Sequence, residues 1–226
     1  MADDPARDAG LAVHSGDLPA LRRLLGEYPE LTGARLGPYG GRTLLGVATD
    51  WPGHFPAVAD VIALVVAAGA SPDQPCLPEG GERPLHWAAS SGDLAALDAL
   101  LDAGADVHAE GAVIAGGTAM ADATAFGQWA AARRLLERGS RTNLFEAASL
   151  GLVPVVKAFL AGGAEPGEIT SGLWGACHGG QRATAELLLE RGGDLNWIGY
   201  DQLTPLDVAR RACATDLVQW LESRGR

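Results

Sequence analysis

The stretch Arg83-Pro84-Leu85-His86-Trp87-Ala88-Ala89-Ser90-Ser91-Gly92-Asp93 decides how the chain is read. A short helical segment runs into Gly92, a residue suited to a tight turn. Leu94 to Leu101 then follows with apolar residues at helical spacing. Asp102-Ala103-Gly104-Ala105-Asp106-Val107-His108 closes the unit. A helix pair of this size cannot bury its apolar face alone, so it calls for stacked copies of itself.

Such copies run outward in both directions. Thr43-Leu44-Leu45-Gly46-Val47-Ala48 opens a unit upstream, closed by Ala68-Gly69-Ala70-Ser71. Thr118-Ala119-Met120-Ala121-Asp122-Ala123 opens one downstream, with Gly127 at the turn. Leu144 to Gly151 and Leu173 to Gly180 follow, then Thr204-Pro205-Leu206-Asp207-Val208-Ala209. Gly10 to Asp17 reads as a capping copy. Openings fall near residues 7, 43, 83, 118, 142, 171 and 204. The second unit carries an insertion, Trp51-Pro52-Gly53-His54-Phe55-Pro56. The closely spaced openings imply trimmed loops, because each copy keeps its second apolar helix.

The unit resembles the ankyrin repeat, with its T-P-L-H-x-A-A-x-x-G opening and G-A-D-V-N close. The implied fold is all-α: one ankyrin-repeat solenoid over residues 1–226, with about seven helix-turn-helix units and short or trimmed hairpin fingers. The resemblance also implies that His86 bonds neighbouring backbone, and that a concave face of inner helices and fingers binds partners.

Composition narrows the function. The 226 residues include 17 Lys+Arg against 28 Asp+Glu, a net charge of −11. That balance argues against nucleic acid, whose phosphates need a basic face, and against anionic membranes. Cys76, Cys177 and Cys213 have neither disulfide-framework nor zinc spacing. The acidic N-terminus is not a secretory leader, so a cytoplasmic location is expected. A single lysine, Lys157, amid abundant Ala and Gly suggests a GC-rich bacterial source. No phosphate loop, dinucleotide fingerprint, HExxH or GxSxG occurs, so neither cofactor nor metal is expected.

The resemblance further implies that three positions of each inner helix face the groove. On that row lie His14, Asp50, Trp51, Trp87, Phe126 and Arg211; His54 of the insertion and Trp174, which stands where the family has His, join them as candidate ligand- or partner-binding residues. Asp122 and Glu146 occupy one position in adjacent units, with His178 beyond. Two readings follow. In the first, the face binds a protein or peptide partner of basic character, with tryptophans as anchors and acidic groups setting partner choice. In the second, an aromatic-walled pocket takes a small molecule, and Asp122, Glu146 and His178 supply cofactor-free acid–base chemistry of an isomerase, cyclase or hydrolase type.

Overall fold

The computed structural model describes residues 4–224. Among them, α-helices alternate with loops and no strand forms, a single bridge between Leu36 and Arg42 aside. The chain divides into two compact units, the first ending at Ser140 and the second beginning at Arg141.

The first unit is four helix pairs: α1 (Pro5–Ser15) and α2 (Leu18–Glu27), α3 (Leu44–Ala48) and α4 (Val58–Ala67), α5 (Pro84–Ser91) and α6 (Leu94–Asp102), α7 (Ala119–Ala125) and α8 (Trp129–Glu137). The odd-numbered helices pack in one row, α1 on α3, α3 on α5 and α5 on α7. The even-numbered helices form a parallel outer row. Ala88, Ala89 and Ala123 are fully buried, and their small side chains allow the inner helices to approach closely. Leu21, Ile62, Leu97 and Leu135 of the outer row fill the space between the rows.

Local chemistry sets the boundaries. Asp17 caps α2 by accepting from the Ala20 amide at 3.0 Å, and Asp93 caps α6 by accepting from the Ala96 amide at 3.0 Å. Each satisfies a helix-end donor that no backbone carbonyl reaches. Gly92 ends α5 in the left-handed region, at φ 72°, and a Cβ there would lie 2.4 Å from Gln128 Oε1. The turn therefore requires glycine on both conformational and steric grounds.

The loops joining pairs also touch one another. The Asp106 amide donates to both carboxylate oxygens of Asp73, at 3.0 and 3.2 Å. The insertion after α3 is pinned rather than loose. Its His54 amide donates to Asp93 Oδ2 at 2.6 Å, and its Phe55 ring stacks on His14 with centroids 4.5 Å apart.

The second unit is three pairs: α9 (Leu144–Ser149) and α10 (Val153–Ala161), α11 (Pro166–His178) and α12 (Arg182–Glu190), α13 (Pro205–Arg211) and α14 (Thr215–Arg224). Helix α11 packs between α9 and α13. The expected trimming is visible here, since only residues 162–165 separate α10 from α11. In place of a finger, α11 starts early. It is launched by Pro166 in its first turn, and the Glu168 carboxylate accepts from the Glu165 amide at 2.9 Å. Leu173, Ala176, Cys177, Leu188 and Val208 form the core. Trp220 closes its end, 9% exposed, with the guanidinium groups of Arg182 and Arg224 over its ring.

Candidate functional site

Four of the residues singled out from the sequence come together in the first unit. Asp50 and Trp51 follow the end of α3, Trp87 lies on α5, and Phe126 caps α7. With Ser90 and Ser91 they line a cavity of about 170 Å³. Trp51 is 83% exposed and Phe126 53% exposed, an unusual outlay of aromatic surface to water. Neighbouring inner helices present the same register to one side, which is why these residues converge although 75 positions of sequence separate Trp51 from Phe126.

Two charged residues that sequence reasoning missed complete the site. Arg42 forms an ion pair with Asp50 at 2.9 Å and holds its guanidinium over the Trp87 ring, 5.4 Å from the centroid. Glu82 lines the cavity from the loop before α5. Neither belongs to an inner helix, so the helical register that located the aromatic residues carried no signal for them.

Asp122 lies elsewhere in the same unit. It faces inward from α7, wholly buried, and neither carboxylate oxygen has a hydrogen-bond partner among the described residues. Its pKa is pushed up to about 7, first by burial and then by the negative charge of Glu82, while the nearby Ile114 amide, which does not reach full hydrogen-bond geometry, acts in the other direction. Loss of hydration in a low-dielectric site disfavours the charged form.

The histidines of this unit have structural partners. His86 Nδ1 accepts from the Arg83 amide at 3.0 Å, closing the first turn of α5 as the repeat resemblance implies. Burial lowers its pKa. His14 is held between the Phe55 ring and the edge of Tyr39, 5.6 Å away. His54 has an exposed side chain on the pinned insertion, with Nδ1 4.0 Å from Asp93.

In the second unit, Glu146 is 6% exposed and occupied by a capping box. Its carboxylate accepts from the Asn143 amide at 2.8 Å, and its own amide donates to Asn143 Oδ1 at 2.9 Å. Burial raises its pKa, and the Asn143 amide opposes the shift. Trp174 is buried, and its indole N–H donates to the Leu203 carbonyl at 2.9 Å. It thereby ties α11 to the loop before α13. Trp174 also packs edge-on against Tyr200 at 5.1 Å and lies 5.4 Å from the His178 ring. Arg211 is exposed and pairs with Asp201 at 2.6 Å. Asp122 thus belongs to one unit, Glu146 and His178 to the other, and the two carboxylates sit in unlike settings.

Known proteins place the fold. A sequence model described as the ankyrin repeat matches residues 80–109. The ankyrin repeat domain of human ASB11 is 21% identical and superposes with a TM-score of 0.58 over 96% of each chain. The ankyrin repeat domain of Bcl-3, a member of the IkappaB protein family, is 26% identical with a TM-score of 0.54, over 96% of this chain and 99% of that one. No curated protein matches the sequence. The class that fold and repeat define is the ankyrin-repeat domain, a fold typical of protein–protein interaction. Among the described residues, no helix is long and apolar enough to cross a membrane.

Proposed function

We propose that the chain is a cytoplasmic interaction protein that binds a protein or peptide segment of basic character through the inner-helix face of its first unit. The observation that carries this is the cavity formed by Asp50, Trp51, Trp87 and Phe126. Its volume of about 170 Å³ suits one inserted side chain. Pockets that enclose small molecules span roughly 300–1,000 Å³. Exposed aromatic rings beside such a notch are the anchor type that dominates protein interfaces. The net charge of −11 favours encounter with a basic segment.

The acid–base reading keeps one supporting observation, the unpartnered carboxylate of Asp122. Two others weigh against it. Asp122 is wholly buried and so has no exposed atom to meet a substrate, and Glu146 spends its carboxylate on a helix cap.

Selection of peptides from a displayed random library on the immobilised full chain tests the binding reading. Enriched peptides should lose at least tenfold in affinity to Trp51→Ala. Enrichment that is insensitive to Trp51 and Phe126, or no enrichment, would remove this face as the binding surface.

A further inference from the structure

The notch in the first unit has an unbalanced charge. Of its two carboxylates, Asp50 is neutralised by Arg42 at 2.9 Å. Glu82, the other, has no ion-pair partner among the described residues, and its field is felt as far as Asp122. Around it stand three aromatic side chains, Trp51, Trp87 and Phe126. Ring faces carry negative electrostatic potential, and together with a carboxylate they attract an organic cation more than any neutral group. Arg42 shows the preference within the molecule itself: a guanidinium already rests over the Trp87 ring with a carboxylate beside it. The net charge of −11 leaves the chain with a surplus of carboxylates over basic groups.

Resting on the binding reading above, we propose that this notch is a cation subsite, which takes one arginine or lysine side chain of the bound segment against Trp51 and Phe126 with Glu82 as its counter-ion. The geometry divides the labour. The rings strip water from the aliphatic stem, as long basic side chains allow, while Glu82 fixes the charged head. Arg42 and Asp50 hold the Trp87 ring as one wall.

The probes are N-acetyl-arginine methylamide, N-acetyl-lysine methylamide and N-acetyl-citrulline methylamide, the last a neutral isostere of the first. Each is titrated into the full chain while the tryptophan indole N–H resonances are followed, assigned through Trp51→Phe and Trp87→Phe. The arginine or lysine probe should shift the Trp51 and Trp87 signals at least threefold more than citrulline does. Glu82→Gln should abolish that difference while leaving the circular dichroism spectrum unchanged. Glu82→Asp should retain part of it. Equal shifts from the charged and neutral probes would overturn the cation subsite, as would an undiminished preference in Glu82→Gln. The displayed library separates this failure from that of the broader reading: Trp51-dependent peptides that lack Arg and Lys would leave the binding face standing and the cation subsite refuted.

Discussion

At the residue scale the most consequential side chain is Asp122. A buried carboxylate without hydrogen-bond partners costs free energy whenever it ionises. Its folded pKa of about 7 stands above its ordinary 3.8, so the folded state binds more protons than the unfolded state between those values. The contribution of Asp122 to stability is therefore expected to be fully present at and below pH 4 and to be lost as the pH rises to 7. Asp122→Asn should flatten that decline and stabilise the protein at pH 8 by about 2–4 kcal/mol, read from urea denaturation at several pH values. Equal slopes in the two proteins would show that Asp122 stays hydrated. Because Glu82 is the second cause of the shift, Glu82→Gln should lower the Asp122 pKa in a carbon-13 carboxyl titration. Its position in the helix puts Asp122 on the groove row, whereas in the folded chain it is wholly buried. Register tells which side of a helix a residue lies on, but the depth at which α7 sits against its neighbours and the loop holding Ile114 is a tertiary property.

At the scale of elements, one side chain often serves two. Asp93 caps α6 and also receives the amide of His54, so it fixes the insertion to the next helix pair. Asp93→Ala should cost about 1–3 kcal/mol, from a lost cap and a part-buried amide left unpaired. It should also speed hydrogen exchange at His54, and an unchanged exchange rate there would mean that the insertion is held by Phe55 alone. In the second unit, Trp174→Phe keeps the ring packing and removes the donor to the Leu203 carbonyl. A loss of about 1–2 kcal/mol is expected by thermal or urea denaturation. No loss would assign Trp174 to packing only. The helix pairs themselves were legible because apolar periodicity and turn glycines such as Gly92 are local signals. The early start of α11 was not anticipated from the opening near residue 171. Its signal lay in Glu165, Pro166 and Glu168, whose capping role depends on where the loop from α10 happens to end.

At the scale of the whole molecule, the ankyrin-repeat fold sets up the surface and the charge tunes it. Seven helix pairs account for the α-helices of the described residues. Their physics makes each pair depend on its neighbours for burial, which leaves the inner-helix side of the first unit free to vary its aromatic and acidic residues. Binding of a basic segment to a chain of net charge −11 should weaken with salt, by roughly an order of magnitude in affinity between 50 and 300 mM, as surface charges are screened. A flat salt response in calorimetric titrations would mean that apolar contact alone drives the association. The most direct measurement of the central claim is a backbone and side-chain chemical-shift map of the full chain titrated with a library-selected peptide. The largest shifts are predicted at Asp50, Trp51, Glu82, Trp87 and Phe126. Shifts confined to the outer helices α4, α6 and α8, with those five residues unmoved, would contradict it.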